Sequence, residues 1–218
     1  METILGLLSK TDINFKKISF CFIIDCSLYL GIEVKLLNLM IILSIIKIFY
    51  IVDIEFSIFL SADDNYKVII KQYDDNIDYE DLIEILYETL IIKRYRNNLL
   101  KTMKTAVEYL KNEKRNTIYI ACFDYMDESF TYPNYWLKNI FNDETNYFIL
   151  IPEISRLFLD KNAEIINNMI KNFEKVQKKA VSKLKIIDIN FMESDIDLGL
   201  NYLFSEIFNK IKRKNNYR

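Results

Sequence analysis

Hydrophobic and polar positions along the chain fall into two rhythms. Lys17 to Asp25 (KISFCFIID) is a nearly continuous apolar run of strand length, rich in aromatic and β-branched residues. Such a run predicts a central strand buried on both faces. Val34 to Val52 stays apolar for longer than a strand and predicts a buried helix. Glu55 to Leu60 and Tyr66 to Tyr73 then flank Ser61-Ala-Asp-Asp-Asn65, a turn-forming segment between two strand-like runs, and predict an antiparallel hairpin. From Tyr79 to Lys114 apolar residues recur every three to four positions (Leu82, Ile85, Leu86, Leu90, then Leu99, Met103, Val107, Leu110), the period of a helix. Thr117 to Asp124 and Tyr147 to Ile151 are further buried strands, separated by a short helix carrying Trp136 and Ile140. An amphipathic helix over Ala163 to Val181, a strand over Lys183 to Ile189 and a helix over Leu198 to Lys212 complete the series. Alternation of this kind predicts an α/β fold: three layers around a mostly parallel six-stranded sheet with one antiparallel edge hairpin.

Composition narrows the chemistry. At 218 residues, with 51% hydrophobic and 28% charged residues, the chain suits one well-buried core, a single domain over 1–218 with a short extension at 1–16 and a basic tail at 210–218. A net charge of −2 without a basic stripe argues against nucleic acid. The complete lack of histidine excludes imidazole bases, His-liganded zinc and Ser-His pairs. Cys21, Cys26 and Cys122 lie in or beside apolar strand-like runs, and an odd count with no secretion signal points to reduced thiols and a cytoplasmic protein. Leu36 to Ile46 is uncharged over 11 residues but flanked by Lys35 and Lys47. A membrane span needs about 20 residues, so no transmembrane segment is expected.

Four stretches resemble a known family. Phe123-Asp124-Tyr-Met-Asp-Glu-Ser129-Phe130 followed by Trp136-Leu-Lys-Asn-Ile140 is similar to the F-D-V-T-x-x-E-S-F and W-L-x-x-I segments of Ras-type and Rab-type small GTPases. Phe148 to Leu157 resembles their fifth strand with its guanine motif, and Ile187 to Met192 with Phe204 to Ile207 their last loop and helix. Val68 to Asp74 resembles the strand that ends at the Asp of DxxG. The resemblance implies a small-GTPase-like fold with a helical insertion at about 78–115.

The nucleotide chemistry implied by that family is mostly absent. A phosphate loop needs glycines, a Lys and a magnesium-binding Ser or Thr. Around Gly31 the matching positions hold Cys26, Ile32 and Glu33, and Glu33 sets a carboxylate where an anion would bind. The DxxG positions hold Asp74 and Ile77, and the guanine-motif positions hold Glu153, Ile154, Arg156 and Asn190. Arg156 can donate hydrogen bonds but cannot accept those of a guanine edge. The expectation is therefore a pseudo-GTPase that does not hydrolyse GTP. It needs no cofactor, GTP or GDP with magnesium being the remaining option. It would act as a protein-interaction module in trafficking, signalling or cytoskeletal processes, with a divergent working switch as the alternative.

A protein partner is expected at the effector-like face or at the 78–115 insertion, where Leu82, Leu86 and Leu90 form an apolar face beside Lys93-Arg-Tyr-Arg96. The same face also suits packing on the domain's own sheet. With no CaaX cysteine, no prenyl anchor is expected. A second alternative shares the layout: Asp25-Cys-Ser27-Leu-Tyr29 resembles the D-x-S-x-S motif by which von Willebrand A domains bind partners through magnesium, with Tyr29 departing from it.

Overall fold

The computed structural model describes residues 6, 15–25, 32–61, 68–73, 75–89, 99–113, 115–124, 147–153, 171, 175, 184–186 and 201–209. Its elements are β1 (Ile18–Asp25), α1 (Ile32–Ile51), β2 (Phe56–Ser61), β3 (Val68–Lys71), α2 (Tyr79–Tyr87), α3 (Leu99–Tyr109), β4 (Asn116–Asp124), β5 (Tyr147–Glu153), β6 (Leu184–Ile186) and α4 across 201–209. The architecture is mixed α/β around a largely parallel sheet. Strand order is β3-β2-β1-β4-β5-β6, with β2–β3 antiparallel and the other four pairings parallel.

The alternation of side chains along a strand assigns each face of the sheet to its own helices. Phe20, Phe22 and Ile24 of β1, with Phe56, Ile58 and Leu60 of β2 and Ile118 and Ile120 of β4, face a layer made by α1, α2 and α4. Phe49 of α1 anchors that layer, its ring 4.7 Å from Phe20, 5.6 Å from Phe22 and 6.3 Å from Phe204 of α4. On the opposite face, α3 covers β1 and β2, burying Met103 and Ala106 and bringing Tyr109 to 5.5 Å from Phe59. The apolar run from Leu36 to Ile46 lies within α1, and among the described residues no helix is long and apolar enough to cross a membrane.

Helix α1 ends where Val52 N–H donates to Ile48 O and Ile54 N–H to Phe49 O, across Asp53 in the left-handed region at φ 54. This six-to-one closure satisfies the last carbonyls and turns the chain into β2.

Strand order corrects two expectations. In the small-GTPase reading, the strand over Val68 to Asp74 must lie beside β1 and run with it, so that its terminal Asp reaches the phosphate site. Instead β2 is the neighbour of β1, in register from Phe20↔Phe56 to Asp25↔Ser61. Strand β3 is the edge and runs the other way, Val68 opposite Leu60 and Lys71 opposite Ile58. The chain therefore leaves β3 at the end of the sheet where β1 begins, and Lys71 Nζ donates there to Phe56 O. Asp25 stands at the far end. Nor is 78–115 an insertion. It carries α2 and α3, which bring the chain from edge strand β3 past β2 and β1 to β4. Leu82 and Leu86 are fully buried in the core, so this apolar face of α2 is used within the domain and docks no partner.

Candidate functional site

Apolar strand runs in this chain stop at acidic residues. Asp25 ends β1, Asp124 ends β4 and Glu153 ends β5. Parallel register then aligns these stops along one edge. Asp25 pairs with Ser61 of β2, Ile24 with Cys122 of β4, and Asp124 with Glu153 of β5. Asp25 and Asp124 thus stand one register step apart on adjacent strands, with Glu153 beside Asp124.

The position of this pair follows from the topology. From β1 the chain turns outward to β2 and β3, then returns to the other side of β1 as β4. Connections leaving β1 and β4 diverge at such a reversal, and the crevice opened at the carboxyl ends of the strands is where open α/β sheets bind ligands. The two strands on either side of this reversal, β1 and β4, both end on an aspartate.

Other predicted site positions are scattered. Ile32 and Glu33 open α1, while Ile77 is half-buried against the core and its carbonyl accepts from Tyr50 OH. Glu153 stands on the strand-end row described above. Cys26, Gly31, Asp74, Ile154, Arg156 and Asn190 lie outside the described residues, as do Ser27, Tyr29, Leu90 and the basic run from Lys93 to Arg96. Among the described residues, no three His, Cys, Asp or Glu side chains come close enough to hold a metal ion. The sequence reading missed the placement of Asp124 one register step from Asp25. The available signal was an apolar strand run closing on Asp at both places.

A second polar group of side chains lies beneath α3, at the opposite end of the sheet. Register sets Ser57, Cys21 and Tyr119 in one row and Ser19 beside Thr117 in the next, all buried. The Ser19 and Thr117 hydroxyls share a 3.0 Å hydrogen bond. Ser57 Oγ and Tyr73 OH are buried, and among the described residues neither has a hydrogen-bond partner. Burial pushes the Cys21 thiol up to about 12, opposed by the nearby Ser57 hydroxyl. Burial likewise drives the Tyr73 phenol up to about 12, and Cys21 adds to the rise. Both groups are neutral across the physiological range, so neither is a nucleophile or a base. The Arg115 guanidinium lies 4.8 Å from the Tyr73 ring and bonds Glu113 at 2.9 Å as well as Glu55. Hydrogen bonding to Glu113 comes first among the causes that raise its pKa and hold it charged. This end of the sheet is built for structure.

No family model matches the chain, and no curated protein matches it in sequence. Solved structures do resemble it. The VWA domain of SpRpn10 aligns at a TM-score of 0.51 and 12% identity, covering 84% of this chain and 94% of that one. Two looser likenesses are a von Willebrand factor type A protein from Catenulispora acidiphila (TM-score 0.42, 12% identity, 77% of this chain and 42% of that one) and proximal thread matrix protein 1 from the mussel byssus (TM-score 0.37, 13% identity, 71% and 45%). The SpRpn10 match overturns the Ras-superfamily, P-loop and pseudo-GTPase reading, as the position of β3 requires. The fold is that of a von Willebrand A domain.

Proposed function

We propose that this chain is a von Willebrand A-type binding module that recognises a protein partner at the crevice between the carboxyl ends of β1 and β4. The observation that carries the reading is that Asp25 and Asp124 end adjacent strands one register step apart, at the point where strand order reverses. Asp25 heads Asp-Cys-Ser27, the part of the D-x-S-x-S pattern that is kept. Asp25, Ser27 and Asp124 offer two carboxylates and a hydroxyl. That donor set fits magnesium, which keeps several of its own waters and takes one or two protein carboxylates. A bound cation would supply a positive, oxygen-seeking centre for an acidic group of the partner. The chain's own residues fix where that group can sit: Asp25 and Asp124 do so by strand register, while Tyr29 stands in sequence where the pattern has its second hydroxyl. Cys21 and Cys122 are both buried in the core, which suits the reducing cytosol as the setting.

The test is thermal unfolding of the full chain with magnesium or manganese, beside Asp25→Asn, Asp124→Asn and Tyr29→Ser. Ligands that bind only the folded state stabilise it by about 2.7 kcal/mol at a hundred times Kd. We expect either cation to raise Tm in the native chain, the two Asn variants to lose the rise, and Tyr29→Ser to reach it at lower cation concentration. A Tm indifferent to both cations, or a rise that survives both Asn substitutions, would sink the reading.

A further inference from the structure

Helix α1 covers the sheet on its inner side, yet its outer side is also apolar. Leu36, Met40 and Ile51 are 39%, 53% and 51% exposed, and half-buried Leu43 continues the same stripe at three-to-four residue steps. Among the described residues Lys47 is the one exposed charge within it. Apolar helix faces are normally turned to the core, with polar residues outward. A contiguous exposed apolar stripe with a polar rim marks an interaction surface.

The rim identifies the occupant. Tyr79 OH of α2 donates to Leu43 O at 3.2 Å, and the Tyr50 and Tyr79 rings meet at 5.5 Å. These contacts fasten the first turn of α2 to the middle of α1. The exposed acids Glu80, Asp81, Glu84 and Glu88 are therefore carried by the helix that neighbours α1, on its outer side away from buried Leu82 and Leu86. An anionic membrane would be repelled by them. A second copy of the chain paired through the same surface would bring acids against acids, with Lys47 as its only exposed counter-charge on the stripe. The complementary object is a helix that is apolar on one face and basic along its border, laid lengthwise on α1.

We infer that the α1–α2 face docks a basic amphipathic helix of a protein partner, its apolar side on Leu36, Met40 and Ile51 and its Lys or Arg border on Glu80, Asp81 and Glu84. Hydrophobic contact supplies the affinity, and the acidic border sets orientation and salt dependence. The surface is separate from the crevice at the strand ends and stands or falls independently of it.

The experiment titrates the full chain into a labelled Leu/Lys amphipathic model helix and follows fluorescence anisotropy, with sedimentation velocity and vesicle flotation alongside. Saturable binding is expected. Met40→Glu should weaken it about tenfold, and Glu80→Lys combined with Glu84→Lys should weaken it severalfold and flatten its salt dependence. Glu108→Lys, on exposed α3 across the sheet, should leave it unchanged. Met40 and Glu84 are exposed, so these variants keep the fold. The inference is overturned by absence of saturable binding, or by binding that Met40→Glu does not weaken. It is equally overturned if Met40→Glu instead abolishes a dimer of the chain alone, or flotation on phosphatidylcholine/phosphatidylserine vesicles.

Discussion

The two faces of the sheet are built on opposite plans. Under α1 the strands present mainly aromatic and aliphatic side chains: Phe20, Phe22 and Phe56 close around Phe49, with the Cys122 thiol and the Lys71 ammonium over Phe56 as the polar exceptions. Under α3 the same strands present Ser19, Cys21, Ser57, Thr117 and Tyr119. Outward the order is reversed. Helix α3 shows Lys104 and Glu108, 3.9 Å apart as an i, i+4 pair, where α1 shows Leu36, Met40 and Ile51. Hydrophobicity on the α1 side is thus in excess of what the domain's own core uses. On the α3 side it is only just sufficient.

The largest expected effect tests the inner half of this contrast. Phe49→Ala removes a ring that meets four others, Phe20, Phe22, Phe56 and Phe204. Truncations of this kind cost about 3–5 kcal/mol, a large part of a domain's stability. Urea unfolding should show the loss in the midpoint at unchanged slope. Near-neutral behaviour would mean that the aromatic cluster is not the anchor of the α1 layer.

Alkaline pH should act most strongly on the α3 face. In the unfolded chain the Cys21 thiol ionises at its ordinary value of 9.0 and the Tyr73 phenol at 10.0, whereas in the fold both rise to about 12. Between those values the unfolded chain binds fewer protons than the folded one, so stability falls as pH climbs. Below about pH 9 the stability is whole; from there toward pH 12 it drains away. Cys21→Ala should make the loss shallower at its onset, because one buried thiol no longer contributes to it. An onset equally steep in Cys21→Ala would show that the buried thiol has no part in it.

How much of this was readable beforehand depends on what periodicity can sense. It reports which side chains point inward, so α1 and the strand from Ile18 to Asp25 were visible, and so was the run of alternating elements. It is blind to which strand lies beside which. Glu55 to Leu60 and Tyr66 to Tyr73 are similar apolar runs, either of which suits a neighbour of β1, and the small-GTPase resemblance chose the wrong one. Strand order also decides the site. Asp25 drew notice through Asp-Cys-Ser27, but only the pairing of β1 with β4 sets Asp124 beside it. The rows beneath α3 were hidden for a different reason. Single Ser, Thr and Tyr residues at every second position of an apolar run barely disturb its pattern, and nothing local says that Ser57, Cys21 and Tyr119 form a line.

The smallest expected effect concerns that line. Ser57 is fully buried and among the described residues its Oγ has no hydrogen-bond partner, unlike Ser19 and Thr117, which bond one another. An unmade hydrogen bond on a buried group costs about 1–3 kcal/mol, whereas an apolar replacement of nearly the same shape removes that cost. Ser57→Ala should therefore stabilise the protein by about 1 kcal/mol, the cavity left by one hydroxyl taking back part of the gain. Ser19→Ala should do the reverse, because it strands the Thr117 hydroxyl. Paired urea titrations read both signs in one experiment. If Ser57→Ala destabilises while Ser19→Ala is neutral, the polar rows hold α3 in place through Ser57, and the α3 face is specified by its hydroxyls as firmly as the α1 face is by its rings.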